Sequence, residues 1–136
     1  SILFNSNIAI QRITSVDIDP VCEDIANTVN RRYLDQSKFT AITADMTTVI
    51  DESADVVINT SCEHITQEQY DKWLNNQPNN ATIVLQSNNY FNLDEHIRCS
   101  TDLEDFVRMS NINPYLRKTL ETLKYDRYML IGKKNV

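Results

Sequence analysis

The sequence predicts a three-layer, doubly wound α/β fold whose sheet is mainly parallel and ends in an antiparallel strand pair. Three observations carry that prediction. Short β-branched runs alternate with segments of helical apolar period, the pattern of a sheet covered by crossover helices. One run, Val56-Val57-Ile58, is apolar at consecutive positions, which marks a strand buried on both faces. The last two strand-like runs meet at a short junction, Tyr125-Asp126, and a connection that short joins antiparallel strands.

The elements follow in order. Residues 12–19 carry Ile13, Thr14, Val16 and Ile18, which predicts a buried strand of about five residues. Asp19-Pro20 supplies an N-cap and a first helical residue. Val21, Cys22, Ile25, Ala26, Val29 and Tyr33 then recur at helical spacing, so an amphipathic helix over 20–34 should bury that face. A second strand is expected at 39–43, ending at Ala44-Asp45, and a third at 54–59. A helix over 66–74 presents Tyr70, Trp73 and Leu74. A fourth strand spans 81–86. Thr101-Asp102-Leu103-Glu104 reads as a capping box opening a short helix to about residue 109. The tail holds the two β-like runs, 116–123 and 127–132. Repeats, low-complexity tracts and linkers are absent, and asparagine clusters at 75–80 and 88–92 read as loops.

Composition bounds the function. The chain has 136 residues, 41% hydrophobic and 24% charged, which suits one domain with a real core and excludes intrinsic disorder. The net charge of −6 disfavours nucleic acid as partner. The basic and tyrosine-bearing tail, with Arg117, Lys118, Lys124, Arg127, Lys133 and Lys134, is expected to be a solvated edge that resists aggregation. No run of about 18 apolar residues spans a membrane. Three widely spaced cysteines, Cys22, Cys62 and Cys99, read as reduced thiols of a cytoplasmic protein. Two features stand apart: the one glycine is Gly132, and the chain opens at Ser1 within an apolar segment. Both lead us to expect that the polypeptide lacks its natural beginning.

Ligands of doubly wound sheets bind at the carboxyl ends of the strands, and those ends are polar here. Asp17 closes the first strand, where a carboxylate accepts hydrogen bonds from the two hydroxyls of a ribose, or serves only as a turn residue. Asp45 closes the second. It can accept an adenine amine while Met46 packs on the ring, or stand as a solvated turn residue. After the third strand comes Asn59-Thr60-Ser61-Cys62-Glu63-His64. His64 and Glu63 can act as acid or base, and His64 can equally pack at the start of the next helix. Cys62 beside His64 has no third orienting residue, which disfavours a thiol hydrolase. Cys62, His64, His96 and Cys99 are zinc-ligand types, but Cys-x-His and His-x-x-Cys are not spacings of a closed structural site, so no metal is expected. Asn88, Asn89 and Tyr90 follow the fourth strand as substrate-pocket or plain loop residues.

Together these residues resemble the class I, Rossmann-like S-adenosylmethionine-dependent methyltransferases. In that family the second strand ends in an acidic residue that holds ribose, as in Ser15-Val16-Asp17-Ile18-Asp19-Pro20. The next strand ends in an aspartate near adenine, as in Ala44-Asp45-Met46. The fourth reads like residues 54–59 and leads to a loop like Ser61-Cys62-Glu63-His64-Ile65, and the sheet closes with an antiparallel hairpin like 116–133. The resemblance covers the chain from about Arg12. It implies S-adenosylmethionine as cofactor, bound by Asp17, Ile18, Asp45, Met46 and Asn59. Glu63 and His64 are then the catalytic candidates, and Asn88 and Tyr90 the substrate-binding ones.

The family's glycine-rich turn after its first strand has no counterpart, since no glycine precedes Gly132. The expectation is a single methyltransferase-like domain, truncated before that strand and turn. The Asn/Asp-Pro-Pro-aromatic signature of base-amine methylators is also absent from 59–62. A small molecule or a protein is therefore the expected methyl acceptor, and a homo-oligomer is open to the chain. The alternatives are a non-catalytic methyltransferase-like interaction module and a nicotinamide-dinucleotide-binding domain, whose ribose is also held by an acidic strand end.

Overall fold

The computed structural model describes residues 2–135. Its backbone packs as two compact units, one up to Val49 and one from Ile50 onward. In the first, β1 (Ile13–Asp17) pairs in parallel with β2 (Phe39–Thr43), with Ile13 opposite Phe39 and Asp17 opposite Thr43. The connection is helical. The Asp19 carboxylate accepts from Val21 N at 2.9 Å and Pro20 opens α1 (Pro20–Val29).

The helix expected over 20–34 is broken at Asn30, and α2 (Arg31–Asp35) follows. The cause is local. Asn30 donates to the Ala26 carbonyl from its backbone N at 3.0 Å and from its side-chain Nδ2 at 2.9 Å, a side-chain competition that ends regular helix. Beyond α2, Ser37 takes a left-handed conformation (φ 56°). Ser37 N donates to Leu34 O at 3.0 Å and Lys38 N to Tyr33 O at 2.9 Å, the helix ending usually built on glycine.

The expected burial of the helix face is corrected in part. Cys22, Ala26 and Tyr33 are half-buried, but Val21, Ile25 and Val29 remain 57–63% exposed. A ribbon of two strands is too narrow to cover the whole stripe. Phe39 is the one buried apolar side chain among the described residues of this unit.

The second unit holds β3 (Val56–Asn59), α3 (Gln67–Asn75), β4 (Thr82–Asn88), α4 (Leu103–Ser110), β5 (Ile112–Glu121) and β6 (Asp126–Lys134). Its sheet order is β3-β4-β6-β5. β3 runs parallel to β4, and β6 runs antiparallel to both β4 and β5. The α/β class and the terminal antiparallel pair thus form as expected, but β3 is not buried on both faces: it lies at the edge of this sheet, and Val56 and Ile58 are 54% and 48% exposed. On β4 the buried positions alternate, Ile83, Leu85 and Ser87 being at most 1% exposed. They share a core with Tyr70 and Leu74 of α3, Phe106 of α4 and Leu130 of β6.

Several boundaries differ from the sequence reading, and two of them have a local cause. α4 is capped by Asp102, whose carboxylate accepts from Asp105 N at 2.8 Å while Asp105 Oδ2 accepts from Thr101 N at 2.9 Å. The reciprocal motif sits one residue later than Thr101–Glu104 suggests, because carboxylates fill both of its roles. β5 begins at Ile112, four residues before the expected run, passing through a register shift between Pro114 and Leu116. Proline is tolerated there because β5 is an edge strand.

That bulge explains the lone glycine. Gly132 lies opposite Pro114, and a Cβ on it would stand 2.3 Å from Asn113 O and 2.6 Å from Pro114 Cα. Both obstacles are backbone, so the strand must move to accept any side chain. Gly132→Ala is expected to destabilise the fold by about 2 kcal/mol, the scale of overpacking, read as a lower urea midpoint. An unchanged midpoint would show that the β5 backbone yields freely.

Candidate functional site

In the first unit the carboxyl ends of β1 and β2 lie side by side, since the strands are parallel and in register. Asp17 is exposed, and its Oδ1 accepts from Asp19 N at 2.9 Å. Ile18, next along, is 73% exposed. Asp45 lies two residues past β2 and caps a 3₁₀ turn, Met46–Thr48, by accepting from Thr47 N at 2.8 Å. Met46 is half-buried. The edge therefore presents two carboxylates, each anchored by a backbone N–H, with an apolar side chain beside each.

In the second unit the polar run after β3 folds into a compact cluster. Asn59 Oδ1 accepts from Ser61 N at 2.9 Å, an Asx turn that swings the chain into a 3₁₀ turn, Cys62–His64. This turn buries Cys62 and Glu63 and leaves the His64 side chain 41% exposed. Glu63 Oε1 accepts from Asn88 Nδ2 at 3.0 Å and lies 3.8 Å from His64 Nε2. Glu63 Oε2 and Asn59 Nδ2 are both buried without a hydrogen-bond partner among the described residues. Asn88, 4% exposed, also accepts from Tyr90 N at 2.9 Å and from Cys99 Sγ at 3.3 Å. Its amide is engaged inside the protein, which makes it a holder of Glu63. Tyr90 is half-buried and stacks on Tyr125, ring centroids 5.1 Å apart.

The fold brings two further residues to this cluster: His96, which the sequence reading grouped with Cys62, His64 and Cys99 as zinc-ligand types, and Arg98, which it did not single out. His96 meets His64 edge to face at 4.8 Å. Its Nδ1 lies 2.6 Å from the Tyr90 carbonyl, and His64 Nδ1 lies 3.2 Å from the Glu95 carbonyl. A carbonyl oxygen only accepts, so each Nδ1 carries a proton, and the nitrogen left to accept or to ligate is Nε2. Of the expected set Cys62, His64, His96 and Cys99, the structure keeps the two histidines together and puts Glu63 beside them in place of the cysteines.

Arg98 is the other addition. It is 5% exposed and binds four ways. Nε donates to Gln67 Oε1 at 2.6 Å, Nη1 to Cys62 O at 3.2 Å and Nη2 to Met109 O at 2.9 Å, and the guanidinium covers the Tyr70 ring at 4.1 Å. Its backbone N also donates to Glu63 O at 3.0 Å. No periodic signal marks an arginine in a 14-residue connection as a structural anchor.

The two thiols of the cluster, Cys62 and Cys99, are buried and hydrogen-bonded. Cys62 donates to Asn59 O at 3.7 Å, and burial pushes its pKa up to about 12, with the Arg98 charge opposing and the Glu63 charge adding. Burial, then the Glu63 charge, also pushes Cys99 up. All three cysteines are free. The cluster's usable chemistry is two imidazole lone pairs beside a buried carboxylate, fit to take a proton or to hold a cation.

Two outcomes are expected. Arg98→Met takes the guanidinium donors from Cys62 O and Gln67 Oε1, while Met109 O keeps Gln67 Nε2 at 3.0 Å, and should cost about 3 kcal/mol, measured by urea unfolding. A loss under about 1 kcal/mol would show that water replaces the guanidinium. For Cys62, the unfolded thiol ionises near its ordinary 9.0 and the folded one near 12. Between those values the unfolded state binds fewer protons, so stability falls as pH rises, by about 1.4 kcal/mol per pH unit. The wild-type slope over that range should exceed that of Cys62→Ala by this amount, and equal slopes would refute it.

No protein-family model and no curated protein matches the sequence. Solved structures do. The N-methyltransferase NodS of Bradyrhizobium japonicum, in complex with S-adenosyl-L-homocysteine, superposes with a TM-score of 0.70 at 12% identity, over 92% of this chain and 67% of that one. Magnesium protoporphyrin IX methyltransferase of Synechocystis, with S-adenosylmethionine bound, gives 0.67 at 13% identity over 91% and 60%. Geranyl diphosphate methyltransferase in complex with S-adenosylmethionine gives 0.70 at 7% identity over 98% and 73%. The chain has the fold of the class I S-adenosylmethionine-dependent methyltransferases.

Proposed function

We propose that this chain is an S-adenosylmethionine-dependent methyltransferase domain, or a piece of one, that acts on a small-molecule or protein acceptor. The observation that carries the reading is the pair of anchored carboxylates at the adjacent carboxyl ends of β1 and β2, in a chain of methyltransferase fold. When bound, the cofactor supplies an electrophilic methyl group on a sulfonium. What remains to the protein is binding and alignment, which can account for most of the rate in such a transfer.

The residues suit those tasks. Asp17 is exposed at a strand end and can accept the vicinal hydroxyls of a ribose. Asp45 would accept from an adenine amine, with Met46 and Ile18 as apolar surface for the base. Asn59 Nδ2, buried and without a partner among the described residues, is a donor suited to a carboxylate. His64 Nε2 carries the lone pair that would take a proton from the acceptor, with Glu63 steadying the imidazolium. Tyr90, stacked on Tyr125, offers a flat surface to the acceptor.

Equilibrium binding tests the reading. S-adenosylhomocysteine should bind saturably and NAD should not. Asp17→Ala should weaken S-adenosylhomocysteine by about 1–3 kcal/mol. An unchanged dissociation constant removes Asp17 from the site. A folded chain that binds neither ligand favours a non-catalytic module, and preference for NAD favours a dinucleotide-binding domain.

A further inference from the structure

We infer that Glu63, His64 and His96 form a binding site for one divalent first-row transition-metal ion. Their ligand atoms all lie within 4.8 Å of one another. Metal–nitrogen and metal–oxygen bonds of about 2.1 Å need donors about 3.4 Å apart in a tetrahedral site. His64 Nε2 and Glu63 Oε1, 3.8 Å apart, already stand near that spacing, and the His64 side chain is 41% exposed, with room to turn.

Three independent features point the same way. Both rings donate Nδ1–H to a backbone carbonyl, Glu95 O for His64 and Tyr90 O for His96. That arrangement fixes the tautomer and orients Nε2 in metal-ligating histidines. The Glu63 carboxylate is 6% exposed, takes one hydrogen bond from Asn88 and keeps Oε2 buried with no partner. A buried carboxylate oxygen left unsatisfied is costly, and a cation supplies what the protein does not. The donor set is also chemically specific. Two imidazoles and a carboxylate suit zinc and the neighbouring transition ions rather than magnesium or calcium, which prefer oxygen.

The cysteines stay outside. Cys62 and Cys99 spend their thiols on Asn59 O, Asn88 Oδ1 and Tyr90 O. With three protein ligands, the ion keeps open positions, as catalytic rather than structural sites do. Those positions suit an oxygen acceptor, whose proton the ion makes easier to lose. This use rests on the methyltransferase reading, while the binding of the ion does not. A bound ion also occupies His64 Nε2, so the metal and general-base roles exclude one another at that atom.

The test uses the full chain, stripped with chelator and titrated with Zn²⁺ by calorimetry and with Co²⁺ by visible absorption. We expect one ion per chain, a ligand-field spectrum for cobalt and a raised unfolding midpoint with zinc. His64→Asn and His96→Asn each preserve an amide donor in place of Nδ1–H but remove Nε2. Each should weaken zinc by at least about tenfold, the smallest loss that even an outer-shell change gives, with the metal-free midpoint unchanged. Glu63→Gln should do the same while keeping an acceptor for Asn88. No binding, or binding that all three variants leave intact, overturns the site. S-adenosylhomocysteine binding, measured on the same samples, reports on the methyltransferase reading separately.

Discussion

The second unit is organised around one buried cation. Arg98 is withdrawn from water, and its compensation comes from two carbonyls, a side-chain amide and the face of Tyr70. A buried guanidinium is tolerated only where its donors are matched in direction. Those directions tie four segments together: the turn at Cys62–His64, the start of α3, the end of α4 and the connection after β4. Because Arg98 N also holds Glu63 O, the same residue fixes the backbone that carries Glu63 and His64. The turn that carries the cluster is therefore preorganised by Arg98, through its guanidinium at Cys62 O and its backbone N–H at Glu63 O.

A second constraint is the scarcity of glycine. Left-handed backbone occurs at Ser37 and Asn111, positions where glycine would relieve strain. The one glycine stands instead where steric approach leaves no alternative, against the Asn113–Pro114 backbone. Conformational strain is the milder penalty and is carried by small polar residues, while a clash with backbone is not carried at all.

The two units differ in how they are held. The second has a continuous core from α3, β4, α4 and β6. The first buries Phe39 and leaves Val21, Ile25 and Val29 to solvent, so its order rests more on the β1–β2 ladder and on caps such as Asp19. Its candidate carboxylates, Asp17 and Asp45, sit at that ladder's end and are steadied by backbone N–H groups. Position at a strand terminus and a local turn suffice for them, which is why they were legible from sequence.

Period and local chemistry by themselves determined the strands, the Asp19-Pro20 helix start, the terminal antiparallel pair and the polar strand ends. Those depend on residues within a few positions of one another. The same reading extended a helix through Asn30 and set the α4 cap one residue early, because a side chain competing for a carbonyl leaves no trace in hydrophobic period. Only tertiary structure decided that His96 joins Glu63 and His64, that Asn88 holds the carboxylate, that Arg98 anchors the cluster and that Gly132 faces a bulge. Each depends on groups 11 to 36 residues apart or more, brought together by sheet register and loop closure, and spacing along the chain carries no information about distance once the chain has folded.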